Sequence, residues 1–345
     1  MRPALGRAAG KCLARQTGAA LLSAMLTVTL VAAFASSALW QQYRSFQVEN
    51  AERSRLQSSL ILTGALDWAR LILREDARTG GADHLAEPWA VPLEEARLSS
   101  FLAVDGVTTD SDRDAFLSGT ILDMQSRLNV VNLVEGAVLS EPGLASFQRL
   151  FERLDLPSSI LQALSNNFLE ATKKASNAGA INSANQADWL LPQRLDQLAW
   201  LGLDEPTLAL LAPYITVLPV RTPVNLNTAS AMVLIANTPG LDKAGAEKLI
   251  AARSRKHFSS MSDATQALGN PAVIFTDGIH SVASRFFEVR GQLRLEDLTV
   301  FERSLVQRDG LTVRTLWRVR GVLSDAPALA GNKPRPAGTA GAPRP

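Results

Sequence analysis

Asp110, Asp112 and Asp114 stand at alternate positions in "DGVTTDSDRD" (105–114). That spacing opens a calcium loop, in which carboxylates at i, i+2 and i+4 converge on one hard cation. The match then fails. Ala115 stands where such a loop turns on glycine, and Ile121 where it closes on a bidentate glutamate. An EF-hand is excluded. What is left is an irregular acidic loop with calcium as the one ion it could take, against a solvated loop or helix cap. The three histidines, His84, His257 and His280, are scattered, and each reads as a surface residue. No His-Glu-x-x-His pair, glycine-rich phosphate loop or nucleophile elbow occurs in the sequence. The one cysteine is Cys12, so a chain cut after it would have neither disulfide nor thiolate chemistry. No catalytic pattern is visible among these residues, and no cofactor is expected.

Nucleic acid is the other polar partner to weigh. "TPGLDKAGAEKLIAARSRKH" (238–257) has the outline of a helix-hairpin-helix, and Arg253, Arg255 and Lys256 are basic. Asp242, however, places a carboxylate where a phosphate would meet the helix amides. The basic residues read as charges at a helix carboxyl end. Net charge is +2 over 345 residues, and four basic residues with no acid fall in 1–18. The remainder is near neutral and gives no electrostatic case for a polyanion. Protein contact is the stronger reading of this segment.

The elements that carry these residues begin with an apolar run. Ala19–Trp40 is 22 residues without charge, long enough for a hydrocarbon layer of about 30 Å. The basic leader marks the cytoplasmic side and sends the rest of the chain across. A cleaved signal peptide, with small residues at Ala33–Ala38, and an uncleaved anchor are both open on this evidence. Beyond Arg44 the helical pattern continues without proline to Gly80. Leu62, Leu66, Ala69 and Leu73 make a stripe, with Ile61, Ala65, Trp68 and Ile72 beside it. One helix is expected from about Ala19 to Ala77. "DHLAEPWAVP" (83–92) ends it as a loop, with Trp89 tucked against the helix.

Residues 118–136 read as a strand, a turn at 125–127 and an extended segment. Residues 140–215 read as helical, with Pro157 at a helix start. Gly202-Leu203-Asp204 recurs as Gly240-Leu241-Asp242, each aspartate able to cap the next helix. Between them Asn227 or Thr228 can cap a helix beginning near Ala229. Strands follow. Phe287, Val289, Leu293 and Leu295 alternate with Glu288, Arg290, Gln292 and Arg294. Val313, Thr315, Trp317 and Val319 read inside, with Arg314, Leu316, Arg318 and Arg320 outside. Period two with one wet face predicts an antiparallel sheet, and Asp309-Gly310 predicts its hairpin. From Leu323 onward, proline, glycine and alanine predict disorder.

A short basic leader ending in Gly18, an apolar start and a long helix feeding a head resemble the type IV pilins and the pseudopilins of type II secretion. The resemblance implies cleavage by prepilin peptidase between Gly18 and Ala19, with Ala19 N-methylated. The family carries glutamate at the fifth mature position; here that residue is Ser23, as in the large minor pseudopilins of the protein K family. Asp123, Gln125, Arg127, Asn129, Asn132 and Leu133 fit a run in that family, with Ser126 and Val131 departing from it. "TPVNLNTAS" and "GLDKAGAEKLIAAR" resemble its inserted helical domain, which is similar to sterile-alpha-motif folds. The implied fold is α+β: a pseudopilin fold, with a long N-terminal helix on an antiparallel sheet, and a large inserted all-helical domain. The expected divisions are a leader 1–18, a transmembrane part 19–43, a pseudopilin domain 44–135 resumed by strands 284–322, an insert 136–283 and a tail 323–345. Several heads of this kind bind calcium through irregular loops, which brings Asp110, Asp112 and Asp114 back as the candidate ligands. The implied role is non-enzymatic: a minor pseudopilin at the pseudopilus tip, anchored in the inner membrane with a periplasmic head. The implied partners are minor pseudopilins I, J and H, the major pseudopilin, the prepilin peptidase and the inner-membrane platform, and no nucleic acid. An exported DNA- or protein-binding module with an ordinary signal peptide is the alternative. A hydrolase without a visible site is a further one.

Overall fold

The structure, a computed structural model, describes residues 17–98, 115–176, 190–295 and 298–322. It divides into two compact units, Met1–Ser59 and Leu60–Pro345. Helix α1, Thr17–Thr79, is 63 residues long and contributes to both. In the first unit its apolar residues are exposed on every side, Leu21, Leu26, Val31, Phe34 and Trp40 among them. A helix bare all round in this way needs lipid or other helices to cover it. In the second unit α1 is amphipathic. Leu62, Leu66, Ala69 and Leu73 are buried as the sequence pattern predicts, and burying each leucine contributes about 2 kcal/mol. Gly80 and Gly81, at φ 66° and 119°, end the helix in a conformation that side chains resist.

The helix packs on a five-stranded sheet in simple sequence order, antiparallel throughout. The strands are β1 (Leu93–Arg97), β2 (Ala115–Asp123), β3 (Phe286–Leu295), β4 (Leu298–Asp309) and β5 (Thr312–Val322). Phe287, Val289, Val306 and Val313 meet α1, and Trp89 closes the layer edge-on to Phe287. The turn at Gly310, φ 55°, joins β4 to β5 where Asp-Gly predicts it.

Between β2 and β3 the chain leaves the sheet and builds a helical block. Its helices are α2 (Glu141–Arg153), α3 (Ser158–Ser176), a 3-10 helix (Leu195–Leu201), α4 (Glu205–Leu211), α5 (Ala231–Asn237), α6 (Lys243–Arg255) and α7 (Met261–Leu268). Phe147, Phe151, Phe168, Leu234 and Leu249 lie in its core.

Four expectations change. The second face of the sheet is not wet: Phe286 and Leu305 pack there on Met124 and Leu218, and Glu288 is 1% exposed. Strand β5 does not keep one face. Leu305 pairs with Trp317 but Val306 with Thr315, so one extra residue of β5 opposes β4. Such a bulge moves Trp317 and Val319 to the side of the helical block, while Val313 and Thr315 stay toward α1. Arg318 is correspondingly on the α1 side, where it donates to Thr63 Oγ1 and pairs with Glu302. The helix near 229 begins at Ala231 under a Ser230 cap, because Asn227 and Thr228 are committed elsewhere. Of the two repeated aspartates, Asp242 caps its helix through Gly245 N, whereas the Asp204 side chain makes no cap bond. The acids Asp110, Asp112 and Asp114 and the tail from 323 lie outside the described residues.

Candidate functional site

At the start of the described residues, Thr17 and Gly18 lie in α1, with Ala19 the next residue. Ser23 is exposed and its hydroxyl donates to Ala20 O at 2.9 Å; Thr27 and Thr29 do the same to Ala24 and Leu26. Bonding back to the preceding turn lets a hydroxyl sit in an apolar helix without an outside partner. Ser23 therefore offers a neighbour no charge. Trp40 and Tyr43 pair at 6.5 Å at the end of the apolar run, the ring types that mark a membrane interface. The helix has a mean hydropathy of 1.9 over its apolar window, long and apolar enough to be a membrane span or a signal sequence.

In the second unit, buried polar groups tie the helical block to the sheet. The chain leaves the sheet at Asp123 and returns at Ser284, and those residues meet. Asp123 Oδ2 accepts from Thr228 Oγ1 (2.6 Å), Ser284 Oγ (2.7 Å) and Asn225 Nδ2 (3.1 Å), while Oδ1 accepts from Gln125 N (2.7 Å). Burial pushes this carboxyl up to about 6, against the pull of those donors. Asparagines extend the knot by imitating backbone. Asn129 Oδ1 accepts from Val131 N and Leu218 N, and its Nδ2 donates to Val220 O. Asn132 takes both the N–H and the C=O of Thr222. Asn227 does the same to Phe258. These are the structural roles that asparagine in irregular turns predicts.

A second seam is ionic. Arg308 of β4 donates to Asp76 Oδ2 (2.6 Å), to Asp83 Oδ1 and to Ser284 O (2.9 Å). Burial alone would lower its pKa, but the Asp83 and Asp76 carboxylates more than offset that and raise it. Glu87 stands with these acids, their oxygens within 4.8 Å of one another. Burial pushes its carboxyl up to about 7, although His84 N and Trp89 Nε1 both donate to it. The trio has the composition to coordinate a divalent ion. Two of its acids already serve Arg308, and nothing in the geometry selects calcium. The three acids lie in one short stretch, 76–87, but what draws two of them together is Arg308, 232 residues from Asp76, and no local pattern announces it.

The histidines differ from their expected surface role. His280 is buried; Nδ1 accepts from Thr276 N and Nε2 lies 2.9 Å from Thr238 Oγ1. Burial lowers its pKa to about 4, so the ring is neutral. His84 stacks on His257 at 3.8 Å, tying the loop after α1 to the end of α6.

Two family models named type II secretion system protein K match the helical block back to back, at residues 126–220 and 224–282. The type II secretion protein K of Pseudomonas aeruginosa is 26% identical over 325 residues, covering 89% of this chain and 93% of that protein. That of Klebsiella pneumoniae is 28% identical over 340 residues, covering 89% and 97%. This chain is similar to the type II secretion protein K family over nearly its whole length. The fold agrees. A chain in the crystal structure of the GspK–GspI–GspJ complex from enterotoxigenic Escherichia coli superposes with a TM-score of 0.55 at 16% identity, covering 79% of this chain and 98% of that one. Proteins of the family that these models describe are structural components and not enzymes. The buried polar groups described above hold the helical block in place, which is a structural task.

Proposed function

We propose that the chain is a minor pseudopilin that caps the tip of a type II secretion pseudopilus and helps initiate its assembly. The observation that carries this is the match of both protein K models to consecutive parts of the helical block, on a chain whose helix α1 is bare and apolar over its first half. The leader is cut between Gly18 and Ala19 and the new amino terminus is methylated. The helix then anchors the subunit in the inner membrane, with 19–43 in the bilayer and the head in the periplasm.

Ser23 supports the tip position. A buried, unpaired terminal amine costs several kcal/mol. A subunit that supplies no carboxylate at Ser23 is best placed where no neighbour above requires one. In this reading the nearest partners are subunits of the I and J type, the types named with GspK in the solved complex. A type H subunit, the major pseudopilin, the prepilin peptidase and the inner-membrane platform complete the set. This reading requires no cofactor, and Asp110, Asp112 and Asp114 are its candidate ligands should calcium bind. The alternative of a nucleic-acid module is disfavoured by Asp242, whose carboxylate occupies the amino end of α6 at Gly245 N.

Sequencing the amino terminus of the membrane-extracted protein tests this reading. A methylated start at Ala19 is expected. A start near Ser36 or Leu39 makes the segment an ordinary signal peptide and overturns it.

A further inference from the structure

Along one flank of α1 runs a crevice of about 240 Å³ between the helix, the loop after it and the sheet. Ala65, Trp68 and Ile72 form one wall, and Val91, Leu93 and Ile121 the other. Its floor is bare because Gly119 of β2 faces Gly291 of β3 across the strand pair. A Cβ on Gly291 would lie 3.3 Å from Leu62 Cδ2, and one on Gly119 would lie 2.9 Å from the Arg290 carbonyl oxygen, so neither position readily takes a side chain. The rim is apolar and open to solvent: Trp68 is 52% exposed and Val91 65%. A half-exposed tryptophan over an apolar hollow is the residue type and setting of an interface hot spot.

We infer that this crevice receives a large uncharged apolar side chain from a neighbouring pseudopilin lying alongside α1, an inference that rests on the pseudopilin reading above. Size argues against a small molecule, whose sites begin at about 300 Å³. Charge argues for an uncharged group. The charged residues in the lining are already paired, Glu302 with Arg318 and Arg320 and Arg290 with Glu288, which leaves neither for an incoming ion. Direction argues for a neighbour along the helix. The crevice follows α1 from Leu62 to Ile72, about 15 Å of axis, so whatever fills it is delivered by an element running beside that helix. The amino-terminal part of α1 is exposed and apolar all round, and requires lateral partners of that kind.

The test uses the full chain, co-expressed with the other minor pseudopilins of its secretion system and extracted from membranes. Ala65→Phe fills the crevice from within. It is expected to keep or raise the melting temperature and to lower co-purification of the partners by about tenfold or more. Trp68→Arg, at an exposed position, should do the same without touching the core, and decides the matter if Ala65→Phe does not fold. In a Cys12→Ser background Trp68→Cys is the sole thiol, and a short thiol-to-amine cross-linker placed there should capture a partner subunit. A folded Ala65→Phe or Trp68→Arg variant that co-purifies like wild type overturns the inference, as does a cross-link that stays within the same chain. Wild type that fails to co-purify at all removes the pseudopilin reading itself, and this inference with it.

Discussion

Two parts of the head bury carboxylates by different means. Where the helical block joins the sheet, Asp123 meets two hydroxyls, an amide and a backbone N–H, and no cation among the described residues bonds to it. On the sheet, Glu288 meets Arg290 and Arg303, and Glu302 meets Arg318 and Arg320. Neutral donors fix direction, each bond being lost if the block turns. Arginines fix charge and tolerate movement, since their stems reach from solvent; Arg303 is 45% exposed in its side chain. The junction is therefore built for geometry, and the sheet surface for neutralising acids that its strands bury.

The largest expected effect breaks the geometric side. Asp123→Ala leaves two hydroxyls, an amide and a backbone N–H without their acceptor in a buried place. It should cost about 3 kcal/mol or more and open the helical block to protease before the sheet melts. Denaturant midpoints and limited proteolysis read both. Equal loss of block and sheet in one transition would show that the junction is not a separable clamp.

The pH dependence should separate the two sides by sign. Asp123 has its folded pKa raised to about 6 by burial. The folded protein then keeps a proton that the unfolded chain releases above about 3.8. Its contribution is greatest below that value and is lost as pH rises through about 6. Glu288 runs the other way. Burial would raise its pKa, but Arg303 and Arg290 outweigh burial and the net shift is downward. Its contribution is present above the ordinary 4.5 and is lost as pH falls through the lower folded value. Asp123→Asn should therefore flatten the fall in stability between pH 4 and 6. Glu288→Gln should cost about 2 kcal/mol near neutral pH and converge on wild type in acid. Stability measured against pH checks both, and parallel curves for the two variants would erase the contrast.

The sequence showed one side of this contrast better than the other. The stripe Leu62–Leu73, the Asp-Gly hairpin and the buried Trp89 are local patterns, and each is where the pattern puts it. The asparagines at 129 and 132 read as structural because asparagine bonds irregular backbone. Glu288 read as solvent-facing because period two separates faces without saying whether a second layer covers the outer one. The bulge at Leu305 and Val306 was hidden for a related reason: one unpaired residue reverses the faces and leaves no trace in composition. Asp83 and Arg308 are 225 residues apart and carry no local signal at all.

The smallest expected effect isolates burial from bonding. Asp242 accepts a backbone N–H from Gly245 at 2.7 Å, as Asp123 accepts one from Gln125, but it does so exposed at the start of α6. Its sequence twin Asp204 stands at the same place before α4 and makes no such bond. Asp242→Ala should cost about 1 kcal/mol, the usual value for a lost cap, and Asp204→Ala only a few tenths. Water can satisfy the amide that Asp242 leaves, whereas none reaches the donors around Asp123. If Asp242→Ala cost as much as Asp123→Ala, the number of bonds and not their burial would set the strength of the junction. If the two caps cost the same, the repeat would be energetically as well as sequentially regular, and the missing bond at Asp204 would have no consequence.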